Sequence, residues 1–148
     1  MYKNIVVGID GSHTSTLALQ EAIKMAKEQS ARLRLVHVVD MFPFTTADTG
    51  LIDDALLEEI LFKAGQTIVD EARDEATKAG LKVETALPQN LNQHIGMVIV
   101  EEAARWGADL VVVGTHGRRG IQHMVLGSVA EAVARAATHP VLLVPSRR

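Results

Sequence analysis

The sequence predicts an α/β fold: a doubly wound parallel sheet of five strands with helices on both faces. Short apolar runs, several rich in β-branched residues, alternate along the chain with segments whose apolar residues recur at helical spacing. Strands that alternate with helices pair in parallel, and a parallel sheet is normally covered on both faces. The length of 148 residues is typical of one domain, so we expect a single unit over 1–148.

The first half of the chain predicts two strands, each followed by a helix. The first strand covers 5–9, and a turn is expected over 11–15. The helix after this turn has apolar residues at helical spacing, namely Leu17, Ala18, Ala22, Met25 and Ala26. A second strand covers 33–39, and the next helix begins at Asp53 and ends at Gly80. The apolar face of this long helix comprises Leu57, Leu61, Ala64, Ile68, Ala72 and Ala79.

The second half predicts three more strands and two more helices. The third strand covers 81–86, the fourth covers 109–113, and the fifth covers 141–144. A helix between the third and fourth strands has an apolar stripe made of Ile95, Val98, Ile99, Ala103 and Trp106. The last helix is expected over 129–137.

The composition excludes several classes of protein and site. The sequence contains no cysteine, which excludes disulfides, thiolate metal ligands and cysteine nucleophiles. The formal net charge of −3 argues against nucleic-acid binding, because nucleic-acid binders usually present a basic surface. No apolar run approaches the roughly 20 residues of a membrane span, so we expect no membrane insertion. The first residues enter a strand without the layout of a signal peptide, and we therefore expect a cytoplasmic protein.

A glycine-rich segment between the fourth strand and the last helix is the strongest functional signal. Gly114 ends the strand, Gly117 follows after two residues, and Gly127 follows after nine more, with Ser128 next to it. Glycines let backbone N–H groups approach an anion, and the start of a helix adds unpaired N–H donors and a positive dipole end. These features suit phosphate binding. The spacing differs from the P-loop pattern, whose lysine is missing here, and from the GxGxxG pattern.

The glycine spacing and its setting resemble the nucleotide loop of the universal stress protein family, in its ATP-binding branch. The resemblance runs from the first strand, 4–10, through 106–117 and 126–130 to 140–144, and so covers nearly the whole chain. Together with right-handed crossovers, it implies the strand order 3-2-1-4-5. In that order the winding reverses between strands one and four, and ligands of such sheets bind at this switch point.

The resemblance also implies ATP as the ligand and gives roles to individual residues. The triphosphate is expected over Gly114, Gly117, Gly127 and Ser128. Mg²⁺ is expected to be held mainly by the phosphates. Asp10 is expected to accept from the ribose hydroxyls, and the backbone of Val38 is expected to contact adenine. The complete predicted site comprises Gly8, Ile9, Asp10, Val38, Gly114, Gly117, Arg118, Gly127, Ser128 and Val129.

Structural roles compete with binding roles at several of these positions. Asp10 could cap the following turn through an Asx contact with Ser12 or His13. Ser128 could be the N-cap of the last helix, since Ser128 and Glu131 fit a capping box, and this role is compatible with phosphate binding. The glycines could be turn residues alone.

The charged residues of the glycine-rich segment are equally open to two interpretations. Arg118 and Arg119 could neutralise phosphates or could simply be solvated side chains. His116 and His123 could bind phosphate, but we expect both to be solvated. The six histidines show no metal-ligand spacing, and we predict no metal-binding or catalytic side chain.

The leading functional prediction is an ATP-binding stress-response sensor or regulator. Its conformation or assembly would depend on the nucleotide and would be recognised by a protein partner. The alternative is a slow ATPase or phosphotransferase that uses the same site, although the chain has no P-loop lysine and no evident base for phosphoryl transfer. A flavodoxin-like carrier and a phospho-receiver are disfavoured, because aromatic residues are scarce and the third strand lacks a terminal aspartate.

The last strand, Val141–Val144, predicts a homodimer. The implied order places it at a sheet edge, where unpaired N–H and C=O groups favour pairing with another chain. Pro140 and Pro145 flank the strand, so a closed two-fold dimer is expected rather than open-ended growth. The resemblance supports this expectation, because universal stress proteins often dimerise through this strand. Alternatively, the short length and Arg147 and Arg148 already protect the edge.

Overall fold

The computed structural model describes residues 1–45, 53–116 and 125–146. The strands in these ranges are β1 (Asn4–Gly8), β2 (Arg32–Val36), β3 (Val39–Asp40), β4 (Val83–Ala86), β5 (Gln89–Asn90), β6 (Leu110–Gly114) and β7 (Val141–Val144). The helices are α1 (His13–Gln29), α2 (Phe42–Thr45), α3 (Asp54–Lys78), α4 (Ile95–Trp106) and α5 (Ser128–Ala136). Among these helices of the described ranges, none is long and apolar enough to cross a membrane.

Five of the strands form one parallel sheet in the order β4-β2-β1-β6-β7. β1 lies at the centre of this sheet, with Val7 opposite Leu35 of β2. Numbered among themselves along the chain, the five strands have the order 3-2-1-4-5, so the predicted topology is confirmed. A second, two-stranded sheet pairs β3 with β5. The predicted strand over 33–39 is therefore wrong at its end, because β2 stops at Val36 and Val39 pairs in the small sheet.

Helices cover both faces of the main sheet because the side chains of each strand alternate in direction. On one face, Val7 and Leu35 belong to a buried cluster that includes residues of α1 and α3. On the other face, Val6 and Val111 belong to a buried cluster with residues of α4 and α5. The predicted α/β class, with helices on both faces of the sheet, is confirmed.

The first helix begins earlier than the sequence predicts. Ser12 is the N-cap of α1, and its hydroxyl oxygen accepts from the N–H of Ser15 at 3.2 Å. The helix therefore starts at His13, and the predicted turn over 11–15 is wrong beyond Ser12. Serine is a common turn residue and also a strong helix cap, and here the cap prevails. As a result, the first turn of α1 lies directly beside the end of β1.

The long helix α3 starts where the sequence predicts, and the predicted face is confirmed in part, because Ala72 is buried and Ile68 packs against the core. Asp53 is its N-cap, and the Asp53 carboxylate accepts from the N–H of Ala55 at 3.2 Å. The buried face includes Gly65 and Val69, whereas Ala64 is exposed. The N-terminal half of the helix leaves large apolar side chains exposed, namely Leu56, Ile60 and Phe62.

Candidate nucleotide site

The carboxyl ends of β1 and β6 lie side by side at the C-terminal edge of the main sheet, where the winding reverses. β1 pairs with β2 on one side and with β6 on the other. The chain leaves β1 toward α1 on one face, and the helix that follows β6, α5, lies on the opposite face. Ligands of doubly wound sheets bind at such a point. The fold therefore brings Asp10, which follows β1, to the same edge as Gly114, which ends β6.

Asp10 is held in place by the first turn of α1. Its carboxylate accepts from the N–H of Ser12 at 2.8 Å, and its own N–H donates to the hydroxyl of Ser15 at 3.3 Å. The Asx contact with Ser12 that the sequence left open is therefore present. A carboxylate has about four acceptor positions, so this contact is compatible with a further bond to a ribose hydroxyl.

Gly114 packs directly against the first turn of α1. A Cβ atom at Gly114 would lie 2.8 Å from the carbonyl carbon of Thr14 and 2.9 Å from its carbonyl oxygen, so a larger residue does not fit without a shift of backbone. The Thr14 hydroxyl donates to the carbonyl of His116 and joins the same two elements. The glycine at 114 therefore has a packing role that is independent of any ligand.

Thr115 and His116, which precede residues 117–124, bond to residues that follow this range. The Thr115 carbonyl accepts from the N–H of Gly127 at 2.7 Å, and His116 Nε2 lies 2.7 Å from the carbonyl oxygen of Val125. Because a carbonyl can only accept, Nε2 carries a hydrogen. Nδ1 lies 2.9 Å from the Thr115 hydroxyl. His116 is half-buried, and both of its ring nitrogens have partners within the protein, so it is not a fully solvated side chain.

The start of α5 differs by one residue from the capping box that the sequence suggests. Gly127 is the N-cap, Ser128 is the first helical residue, and the Glu131 carboxylate bonds to Arg135 at 3.0 Å. The N–H of Gly127 bonds to the Thr115 carbonyl, and α5 begins one residue earlier than the sequence suggests. A Cβ at Gly127 would lie 2.8 Å from the Thr115 oxygen, so this close approach favours glycine. The first N–H groups of a helix lack intrahelical acceptors, so this end of α5 presents donors and a positive dipole end.

Three predicted residues, Gly8 at the end of β1, Ile9 just after it and Val38 just after β2, lie in the core rather than on an open surface. Val38 and Ile9 are 8% and 6% exposed. A Cβ atom at Gly8 would lie 3.1 Å from Val113 Cγ1. Ile9 also lines a cavity of about 270 Å³ between α1 and α3. These three residues could therefore contribute to a ligand site through their backbone atoms.

The remaining predicted residues divide into described and undescribed positions. Val129 is the second residue of α5 and packs half-buried against the cluster of α4 and α5. Gly117 and Arg118 lie outside the described residues, as do Arg119 and His123. In the ranges that the structure covers, no group of three or more acidic or histidine side chains is arranged to hold a metal ion.

Two threonines at this edge do not appear among the predicted residues. Thr14 lies in a hydroxyl-rich run after β1, which was a usable signal, but its partner at His116 is 102 positions away. The Thr115 carbonyl bonds to Gly127 through its backbone, and backbone contacts leave no mark on the identity of the residue. Both residues position the glycines of the predicted site.

The fold is that of the universal stress protein family, and the chain belongs to it: the family model matches residues 1–145. Universal stress protein MJ0531 of Methanocaldococcus jannaschii is 37% identical over 147 residues, which cover 97% of this chain and 82% of that protein. A crystal structure of a family protein from Burkholderia pseudomallei is 33% identical, with a TM-score of 0.80, and the match covers 98% of this chain and 97% of that one. A universal stress protein crystallised in complex with cAMP is 31% identical, with a TM-score of 0.71 and 97% of each chain covered.

Proposed function

We propose that this chain is an ATP-binding universal stress protein, a single cytoplasmic domain over 1–148 that regulates the stress response through nucleotide-dependent conformation or assembly. The observation that carries the proposal is the meeting of Asp10, Gly114 and the start of α5 at one edge of the sheet. Asp10 supplies an acceptor for ribose hydroxyls. The start of α5 supplies N–H donors and positive potential for phosphates.

In this proposal each part of ATP has its own partner. Adenine contacts the backbone at Val38, and the ribose contacts Asp10. The triphosphate lies over Gly114, Gly117, Gly127 and Ser128. Arg118 neutralises phosphate charge, and Gly8, Ile9 and Val129 complete the wall of the site. Because the N–H of Gly127 already bonds to Thr115, the role of this glycine is to allow close approach, and the donors are the following N–H groups of α5.

Mg²⁺ is the ion that this proposal places with the triphosphate. Mg²⁺ usually binds substrate phosphates and water, with few protein ligands, so the phosphates would hold most of its coordination sphere. When bound, the ion neutralises part of the triphosphate charge. The residues of the chain then have to position the nucleotide rather than to ligate the metal.

An adenine nucleotide is favoured as the ligand class by a related protein. The 31% identical universal stress protein was crystallised with cAMP. We favour ATP over a cyclic monophosphate because the glycine spacing resembles that of the ATP-binding branch. Competition between ATP and cAMP in one titration distinguishes the two ligands.

A slow ATPase or phosphotransferase is the second candidate function, because it would use the same phosphate contacts. Efficient phosphoryl transfer also needs a positioned base and strong charge neutralisation, and the sequence has no P-loop lysine. We expect turnover far below the roughly 1–100 s⁻¹ of kinases. A phosphate-release assay that shows several turnovers per second would favour the enzyme over the regulator.

Calorimetric titration with Mg·ATP tests the proposed site, using wild type, Ser128→Ala and Thr138→Ala. Because Ser128 is not the N-cap, its replacement should cost little stability. Loss of the hydroxyl should weaken ATP binding about fivefold. Thr138 is exposed near the opposite end of α5, so Thr138→Ala should bind as wild type does. Equal affinity of Ser128→Ala and wild type would place the phosphates elsewhere, and a wild type that does not bind ATP would contradict the proposal.

We also propose a homodimer through β7, which lies at the edge of the main sheet. The carbonyls of Pro140 and Val144 accept hydrogen bonds from the β6 side. Since polar groups alternate in direction along a strand, those of Val141 and Leu143 face away from β6. These groups could pair with the same strand of a second copy and form a closed two-fold dimer.

Two substitutions at one position test this dimer. Val141→Pro removes an outward N–H but leaves the pairing with β6 intact, so it should give monomers. Val141→Thr keeps the shape and the N–H and should remain dimeric. Light scattering at micromolar concentration measures both, and a monomeric wild type would rule out the proposed dimer.

A further inference from the structure

We infer that His37 is a positioning residue of the proposed nucleotide site: its imidazole fixes the end of β1, immediately before Asp10, and braces that end against α3. This inference rests on the proposed function and names a residue that the glycine spacing does not point to. It concerns the orientation of the Asp10 segment and not a contact with the nucleotide itself.

The imidazole of His37 holds the backbone of Ile9. His37 Nδ1 lies 2.9 Å from the carbonyl oxygen of Ile9. A carbonyl can only accept, so Nδ1 carries the hydrogen and the ring donates. The N–H of Ile9 donates to the carbonyl of Val36 at 2.9 Å. Both backbone polar groups of the residue before Asp10 are therefore held from the end of β2.

His37 is itself fixed by its own backbone. Its N–H donates to the carbonyl of Ala86, the last residue of β4, at 3.0 Å. The residue therefore spans three neighbouring strand ends: β4 through its N–H, β2 through the chain, and β1 through its ring. Rotation of the β1 end relative to the sheet would break the hydrogen bond between Nδ1 and Ile9.

The other side of the imidazole touches α3 at Gly65. A Cβ atom at Gly65 would lie 2.6 Å from His37 Cδ2 and 3.0 Å from Nε2. Glycine in the interior of a helix costs about 1 kcal/mol relative to alanine. Gly65 lies inside a 25-residue helix, and the close approach of the His37 ring gives a physical reason for a glycine there. The ring is thus wedged between the end of β1 and the backbone of α3.

The hydrogen bond has a direct consequence for ligand binding. Asp10 follows Ile9, and its carboxylate must point at the ribose for the proposed contact. Without the Nδ1 donor, the Ile9 carbonyl loses a partner in a poorly hydrated position, and the β1 end gains alternative orientations. Binding would then have to select the productive orientation, which lowers the apparent affinity.

Two substitutions separate positioning from packing. His37→Asn keeps an N–H donor on the same branch of the side chain but removes most of the ring. His37→Leu keeps a similar apolar volume but removes the donor. If His37 positions the Asp10 segment, Mg·ATP should bind about tenfold more weakly to His37→Leu and within about threefold of wild type to His37→Asn. A packing role predicts the reverse order, because leucine preserves the buried volume better.

Calorimetric titration of the full chain, with thermal unfolding of each variant, tests the inference. The expected result is that affinity follows the donor while the melting temperature follows the volume. Affinity of His37→Leu within about twofold of wild type would overturn the inference and leave the proposed function standing. A wild type without ATP binding would overturn the proposed function, and the role of His37 with it.

Two further measurements keep the inference testable if His37→Leu does not fold. ¹⁵N NMR of the imidazole in nucleotide-free wild type should show hydrogen on Nδ1, and a ring with hydrogen only on Nε2 would overturn the inference. Gly65→Ala keeps His37 in the sequence but places the alanine Cβ against the His37 ring, which must shift. This variant should therefore bind Mg·ATP more weakly while its helix content is retained. Unchanged Mg·ATP binding in Gly65→Ala would also count against a role for the contact between His37 and α3.

Discussion

At the amino ends of the main strands, charged side chains form ion pairs with one another as well as bonds to the backbone, whereas at the carboxyl ends of β1 and β6 polar side chains bond mainly to backbone groups. The amino end contains an ion-pair network around one buried carboxylate. Glu102 of α4, whose side chain is 8% exposed, contacts Arg34 at 2.9 Å and Arg105 at 2.8 Å. Buried charges need such partners, because an unpaired one loses several kcal/mol of solvation.

A tryptophan extends the network at the amino end. The guanidinium carbons of Arg32 and Arg34 lie 5.1 and 5.6 Å from the centre of the Trp106 ring, within the range of cation–π attraction. The indole N–H of Trp106 donates to Glu84 at 2.9 Å. Arg32, Arg34 and Glu84 thus all contact Trp106.

The carboxyl end is built differently. Asp10 and Thr14 bond to backbone groups, and Gly114 and Gly127 allow two backbone segments to come close together. The first turn of α5 presents N–H donors at the same edge. The amino end is therefore a region where contacts between side chains stabilise the fold. The carboxyl end is a region where close backbone segments and free N–H donors suit a ligand. Stability and nucleotide affinity should therefore respond to different substitutions.

The largest expected effect is on stability at the amino end. Glu102→Ala removes the nearer carboxylate of the largely buried Arg34, which keeps only Glu84 at 3.8 Å, and should lower the free energy of unfolding by about 3 kcal/mol. Nucleotide affinity should not change. Denaturant unfolding measures the first quantity and calorimetry the second. Glu101→Ala, at an exposed position of the same helix, is the control and should cost less than about 0.5 kcal/mol.

One aspartate lies at each end of the sheet, and the two should respond differently to the same substitution. Asp10→Asn keeps the acceptor for Ser12 but removes the charge, and it should weaken Mg·ATP binding by about 2 kcal/mol, or roughly 30-fold. Asp109 at the amino end accepts from the N–H groups of Lys3 and Asn4 at 2.9 and 3.1 Å. Asp109→Asn should leave affinity unchanged and cost about 1 kcal/mol of stability. A reduced affinity in Asp109→Asn alone would reverse the assignment of the two ends.

The smallest expected effect concerns Trp106. Trp106→Phe keeps an aromatic face for Arg32 and Arg34 but removes the donor to Glu84, so it should cost about 1 kcal/mol of stability. Circular dichroism during urea unfolding gives this value. Mg·ATP affinity should be that of wild type, and a large loss of affinity would show that the two ends are not separable.

Some features of the fold and the site could be predicted from the sequence and others could not. The difference lies in whether a feature depends on local residue pattern or on a distant backbone contact. The strand over 109–113 and the apolar stripe of α4 follow from residue type and spacing, and both match the structure closely. The suggested cap at Ser128 and the predicted end of β2 were wrong. Each depends on a backbone partner elsewhere, Thr115 for the observed cap Gly127 and Gln89 for the residue at 39. Pairing between distant backbone groups has no sequence pattern.

The predicted site shows the same division. Asp10 and Gly114 come to one edge because topology alone places them there, and topology followed from the alternation of elements together with the family resemblance. The contact between His37 and Ile9, and the one between Thr14 and His116, join residues 28 and 102 positions apart. Only the folded chain reveals them. The binding roles of the site residues stay predictions that require a ligand.

An NMR titration with Mg·ATP tests the separation of the two ends most directly. In ¹H–¹⁵N spectra of the full chain, we expect the amides of Asp10, Gly114 and Ser128 to shift with a common saturation curve. The indole N–H of Trp106 and the amide of Asn4, both at the amino end, should stay in place. Shifts confined to Trp106 and Asn4, or no shifts at millimolar nucleotide, would contradict a nucleotide site at the carboxyl end of the sheet.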